Sequence, residues 1–114
     1  MILEQRTYTV NIHKLRAWLA IWEETALRIQ LEHIAVFNGE FLGMYLTEVG
    51  ALNEVTHLWQ HQDVTSRDKM RRAVESDPRW DVYRQRVDEL SPMLAMRNVI
   101  LRPTSFSPKA LKGV

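Results

Sequence analysis

The stretch Val55–His61, VTHLWQH, alternates: Val55, His57, Trp59 and His61 share one parity, while Thr56, Leu58 and Gln60 share the other. In an extended chain this puts an imidazole and an indole on one face. An imidazole exchanges protons near neutrality, so His57 is the candidate catalytic residue, as a general base or as a donor to a ligand oxygen. Trp59 then offers a stacking surface for an apolar ligand. The alternative is that both pack an interface, with the histidine satisfied by a neighbouring carboxylate. Glu4, Arg6 and Tyr8 repeat the alternation near the start of the chain. A buried arginine needs a partner, and Glu4 is the nearest carboxylate on that face. The trio either faces a cavity or forms a structural ion pair. Tyr45 and Arg102 complete the candidate ligand-binding set. Arg102 precedes Pro103, which favours extended backbone; it either clamps a carboxylate at a cavity mouth or forms a surface ion pair, the role favoured for a lone exposed arginine.

No metal site is expected. His57 and His61 are four apart, which in a strand separates them by about 13 Å, too far for one ion. His13 and His33 fall at opposite ends of the first expected helix, and the chain has no cysteine. That composition removes disulfides and thiolate chemistry and is compatible with a reducing compartment. No Gly-rich phosphate loop, nucleophile elbow or paired-carboxylate motif occurs, so no cofactor is called for.

The elements that must carry these residues follow from periodicity. ILEQRTYTV, residues 2–10, reads as a strand. From Leu15 the apolar positions Trp18, Leu19, Trp22, Ala26 and Ile29 recur at steps of three and four, predicting a helix that fades near His33. Asn38 and Gly39 mark a turn within residues 35–40, a segment that would lid a cavity if it folded over one. FLGMYLTEVG and EVTHLWQH are two further strands joined through GALN. Asp63 is placed to cap a helix with Met70, Ala73 and Val74 facing inward. Its Arg67, Lys69, Arg71 and Arg72, interspersed with acids, read as a solvated face with Asp68 and Arg72 paired. Asp77 and Pro78 start another helix carrying Trp80, Tyr83, Val87 and Leu90, and MRNVILRP is the last strand. Trp18, Trp22, Trp80 and Tyr83, at helical spacing, read as packing.

Strand, helix, strand, strand, helix pair, strand is the ferredoxin-like split βαβ order, an α+β fold with a four-stranded antiparallel sheet. The 114 residues make one domain, 1–106, followed by a tail at 107–114 rich in breakers. Both sheet faces carry large side chains, so the face without helices is expected to pair with a second copy, giving a homodimer or a higher oligomer. With 46% apolar residues, 25% charged and a net charge of +1, nothing favours a polyanionic partner, and nucleic acid is not expected. No long uncharged run suits a membrane span, so a cytoplasmic protein is expected.

Four pieces, LEQRTYTV, FLGMYLTEVG with LNEVTHLWQH, SRDKMRRA with DPRWDVY, and NVILRPTSFSP, together resemble the bacterial NIPSNAP family across nearly the whole chain. Glu4, Arg6 and Tyr8 match its E-x-R-x-Y pattern. The resemblance implies a dimeric α/β barrel in which two sheets enclose a cavity lined by Arg6, Tyr8, His57 and Trp59. The superfamily includes cofactor-free oxygenases, isomerases and haem enzymes, so the fold supplies a chamber without a chemistry. A small-molecule binder, with oxygenase- or isomerase-like activity as its extension, is the leading expectation. The rival is a non-enzymatic interaction protein that uses the barrel only to dimerise and works through the helix carrying Arg67, Arg71 and Arg72 or through the C-terminal tail.

Overall fold

The structure, a computed structural model, describes residues 1–108. Of the expected tail, residues 109–114 lie outside the described residues. Strand β1 (Ile2–Val10) leads through a 3-10 turn into helix α1 (Leu15–Ile21), which passes through a π turn (Trp22–Ala26) into α2 (Leu27–Val36). Strands β2 (Glu40–Leu46) and β3 (Glu54–His61) follow, then α3 (Val64–Ser76), α4 (Pro78–Leu90) and β4 (Met93–Leu101). The first helical unit therefore continues beyond His33 to Val36. Asn38 ends it in the left-handed region with φ 56°, and Gly39 N–H donates to the Ile34 carbonyl at 3.0 Å.

The caps anticipated from sequence are present. The Asp63 carboxylate accepts from Ser66 N–H at 2.7 Å, and the Asp77 carboxylate accepts from Arg79 N–H at 3.0 Å, with Pro78 in the first helical turn. Ser91, at φ 51°, closes α4. The connection between β2 and β3 runs from 47 to 53, longer than GALN alone, because β2 stops at Leu46.

The sheet order is β2-β3-β1-β4 with every neighbour antiparallel, the ferredoxin-like arrangement. The molecule measures 42 × 37 × 18 Å, thick enough for one sheet and one helical layer. Register sets the faces: Glu4 lies opposite Trp59, Arg6 opposite His57 and Tyr8 opposite Val55, so all six point the same way. That way is toward the helices. Tyr8 meets Trp18 edge-on at 5.8 Å, Trp22 meets His57 at 5.9 Å, and Trp18 and Trp59 are almost completely buried. Burying one such side chain contributes about 1.5–3 kcal/mol or more, which commits this face to the core.

The expectation that Arg6, Tyr8, His57 and Trp59 line a space between two sheets is therefore corrected: they lie inside the protomer, under its own helices. The open face carries the opposite parity, including Leu3, Leu58, Val99 and Leu101. Tyr45 joins it because β2 bulges between Phe41 and Gly43, where Gly43 adopts φ +131°. The extra residue lets Phe41 and Met44 both pack inward and turns Tyr45 out, its hydroxyl donating to the Leu42 carbonyl at 3.1 Å.

Gly39 sits where α2 hands over to β2 against β3. A Cβ there would lie 2.6 Å from the Gln60 carbonyl oxygen and 2.6 Å from Ile34 Cγ1. Gly39→Ala is expected to destabilise the fold by about 1–3 kcal/mol in urea unfolding, whereas Asn38→Gly, which keeps the left-handed turn, should stay within about 0.5 kcal/mol. Equal effects from the two changes would contradict this account of the turn.

Candidate functional site

Glu4 is only 1% exposed, and a carboxylate so deep must be neutralised where it sits. Arg67 of α3 binds its Oε2 with Nη2 at 2.8 Å and Nε at 3.2 Å, Arg6 Nη1 approaches the same oxygen at 3.2 Å, and His61 Nε2 lies 3.1 Å from Oε1. Burial alone would push the carboxyl up. Hydrogen bonds from His61 and Arg67 and the charges of Arg6 and Arg67 overrule it and hold Glu4 well below the ordinary carboxylate range. The Arg67 guanidinium is correspondingly pushed up, first by its hydrogen bond to Glu4.

Arg6 carries the arrangement onward. Its Nε and Nη2 donate to the Tyr8 hydroxyl at 3.0 and 2.9 Å, and with the Asn98 amide turned to suit its neighbours, Asn98 Oδ1 accepts from Arg6 Nη1 at 3.1 Å. The Tyr8 oxygen accepts two N–H groups, so its own proton points elsewhere.

His57 is set by a single contact. Trp59 Nε1–H, which can only donate, gives a 2.8 Å hydrogen bond to His57 Nδ1. Burial, then the charges of Arg6 and Arg71, push the imidazole down to about 3, so the ring is neutral at physiological pH. Its one proton must then be on Nε2. That atom is buried and has no hydrogen-bond partner among the described residues. His57 is thus a donor at Nε2, and the general-base reading of that nitrogen is corrected. Trp59 fixes this tautomer and packs on Phe41 at 4.5 Å rather than offering a stacking face.

Two further groups, both placed elsewhere by sequence reasoning, converge here. Arg71 lies over the Trp80 ring at 5.9 Å and donates to Gln30 Oε1 at 3.0 Å, with no carboxylate in ion-pair range among the described residues. Burial and the Arg6 charge push this guanidinium down. Gln30 is held in turn by its own helix, its Nε2 donating to the Ala26 carbonyl at 3.2 Å. The Tyr83 oxygen accepts from Trp18 Nε1 at 3.2 Å, and burial pushes its hydroxyl up to about 12.

Arg6, Tyr8, His57, Arg71 and Tyr83 line one cavity of about 200 Å³, walled by Trp22, Trp80, Val87 and Met93. Met96, 61% exposed, stands where it meets solvent. A groove of about 560 Å³ between the first helical unit and β2 is larger, but only Glu23 among its lining side chains is charged. Convergent donors, not volume, make the smaller cavity the candidate.

Of the expected site residues, the structure brings Arg6, Tyr8 and His57 together and places Glu4 and Trp59 directly behind them. Tyr45 is on the opposite sheet face, and Arg102 lies beyond β4 in a separate shallow cleft with Met1 and Leu3. The solvated-arginine reading is corrected for two of its members, since Arg67 and Arg71 turn inward while Arg72 stays exposed. Asp68 pairs with Arg67 at 3.1 Å, not with Arg72. Arg67, Met70, Arg71 and Val74 form an i, i+3, i+4, i+7 stripe, a signal that marks both arginines as inward-facing. Residues 35–40 do not line the cavity. No group of three or more metal-ligand side chains converges among the described residues, and none of their helices is long and apolar enough to cross a membrane.

Comparison with known proteins places these features. The NIPSNAP family profile matches residues 3–108. Human protein NipSnap homolog 3A is 33% identical over 89 residues, 78% of this chain and 35% of that protein, so the chain spans about a third of that relative. A NIPSNAP family protein with unknown function from Agrobacterium tumefaciens superposes with TM-score 0.81 at 30% identity, covering 95% of this chain and 92% of that one. A Nitrosomonas europaea structure proposed as an antibiotic biosynthesis monooxygenase superposes at 0.61 with 11% identity, over 90% of this chain and 98% of that one, a likeness of fold alone.

The buried imidazole has a measurable consequence. The unfolded chain takes up a proton on His57 below its ordinary 6.5, while the folded chain refuses it until about 3. Stability should therefore fall as pH drops through this window, by up to about 1.4 kcal/mol per pH unit. Glu4, also depressed in the fold, adds to the fall below its ordinary 4.5. Urea unfolding across this range should show the decline, and His57→Gln should flatten its part above about pH 5. An unchanged slope in that variant would sink the assignment.

Proposed function

The chain belongs to the NIPSNAP family, and on that premise we propose that each protomer binds a small organic anion in the chamber between its own sheet and helices, and that two protomers pair through their open sheet faces. The observation that carries the first part is the unpartnered Nε2–H of His57 beside Arg71, a half-buried guanidinium with no carboxylate partner among the described residues. A buried donor and an unneutralised cation facing one cavity favour an occupant that brings negative oxygen. The size suits a single-ring compound, since a cavity of about 150 Å³ holds benzene.

Arg6 and Tyr8 keep their proposed binding roles, and His57 becomes a donor to ligand oxygen. Glu4 and Trp59 act behind them as positioning residues. Oxygenase- or isomerase-like turnover is the extension of this reading, because stabilising an anionic oxygen is the minimum either chemistry needs. The fold likeness to an oxygenase adds no chemistry.

Pairing is supported by the open face. Val99 is 44% and Leu101 43% exposed, beside Leu3 and Leu58 of the same parity, and the 18 Å thickness leaves that face without a covering layer.

Thermal-shift titration with benzoate tests the chamber, benzyl alcohol serving as the neutral match. Benzoate should raise the melting temperature with concentration. Arg71→Met should cost about 2 kcal/mol of binding, read against that variant's own unliganded melting temperature because it also takes a donor from buried Gln30 Oε1. Full retention of the benzoate response in that variant would refute the reading. For pairing, sedimentation should give a dimer that Val99→Lys with Leu101→Lys converts to a folded monomer; a monomeric parent at micromolar concentration would end that part.

A further inference from the structure

Resting on the chamber reading, a narrower statement follows from counting donors and acceptors on its wall. The His57 Nδ1 lone pair is filled by Trp59, leaving Nε2–H. The Tyr8 oxygen is filled by two Arg6 N–H groups, leaving O–H. The Tyr83 oxygen accepts from Trp18, leaving O–H and one lone pair. Arg71 spends one N–H on Gln30 Oε1 and has others to give, while the Gln30 amide nitrogen is used on Ala26. No carboxylate lines the cavity. Glu4, the nearest one behind it, is held by Arg6, Arg67 and His61.

The wall therefore offers hydrogen-bond donors from β1, β3, α3 and α4, while Gln30 of α2 adds an amide whose nitrogen is used on Ala26. Its side-chain oxygen acceptors are engaged, apart from one lone pair on Tyr83 and one on Gln30 Oε1. We propose that this chamber selects the deprotonated form of a weak oxygen acid, a phenol or an enolisable carbonyl compound, over the neutral form, and does so without supplying a base.

The physical reason is asymmetric satisfaction. An oxyanion on this wall accepts from several fixed donors and meets the Arg71 charge. A neutral hydroxyl of the same shape forgoes that charge attraction and can place its own proton only on the single lone pairs left at Tyr83 and Gln30, and a buried donor that misses them is costly. The donors are point-like. The Arg6 fork is spent on Glu4 and Tyr8, and the Arg71 fork is tilted by its bond to Gln30, so a single oxygen fits them better than a two-oxygen carboxylate. Carboxylic acids are already ionised at neutral pH; phenols and enols are not, and for them the preference decides which form is bound. Their proton passes to buffer outside the chamber, and no covalent bond to the protein forms. Through the neutral range the imidazole of His57 stays neutral and the Tyr83 hydroxyl stays protonated, so a titration across that range reports on the ligand.

The probe is 4-nitrophenol, whose anion has its own visible absorption band. Its ionisation is titrated with and without the protein, beside 4-nitrobenzoate, permanently charged at these pH values, and 4-nitrobenzyl alcohol, neutral. The midpoint of bound 4-nitrophenol should fall by at least about one unit, a tenfold preference for the anion. Tyr83→Phe, which keeps the ring, should shrink the displacement while 4-nitrobenzoate still binds, and Arg71→Met should abolish it. If 4-nitrobenzoate and 4-nitrophenol bind but the midpoint is unmoved or raised, or 4-nitrobenzyl alcohol competes equally with nitrophenolate, the selectivity is overturned and the chamber stands. If none of the three binds, the chamber reading falls and takes this inference with it.

Discussion

One buried carboxylate organises the molecule. Glu4, at 1% exposure in the third position of β1, would be untenable unless cations came to it. One comes along its own strand, Arg6, and one comes from α3, Arg67, at 2.8 Å. The α3 contact does more than neutralise. Arg67 and Arg71 are four apart on one helical face, so engaging Arg67 at Glu4 carries Arg71 over the cavity one turn later, with Met70 and Val74 buried on the same stripe. Had α3 docked through Met70 and Val74 alone, its rotation would be set by shape; the ion pair adds a fixed register.

Behind the cavity wall, the same device recurs three times. Trp59 fills His57 at 2.8 Å, Trp18 fills Tyr83 at 3.2 Å and Arg6 fills Tyr8 at 3.0 and 2.9 Å. Each rear group can only donate, so it fills an acceptor site on its front group and leaves that group's own proton to give. The polarity of the cavity is thus set by Trp59 and Trp18 from behind the wall and by Arg6 on it. Such prearranged donors cost no reorganisation when negative charge arrives.

Strand β4 serves both faces of this design. Its alternation places Met96 and Asn98 on the chamber side and Arg97, Val99 and Leu101 on the open side. The binding proposed for one parity and the pairing proposed for the other therefore use different side chains. An edge strand this exposed gains from being covered, and the apolar open-side residues are the ones that gain most.

What the sequence by itself determined is everything that local physics controls. Alternation marked β1 with both of its ends, Asp63 and Asp77 announced their helices through capping chemistry, and the order of elements implied the ferredoxin-like sheet. The parity sets were legible too: Glu4, Arg6 and Tyr8 do share a face, as do His57 and Trp59. Which side of the sheet those sets occupy was decided only by the tertiary structure, because a period of two assigns residues to faces without saying which face the helices cover. The bulge before Gly43 reversed the parity of Tyr45, a shift that counting along β2 does not register. Arg67 and Arg71 looked solvated because their partners, Glu4 for the first and Gln30 for the second, lie more than sixty and about forty residues away in the chain. Only the fold brings to a buried cation the groups that hold it.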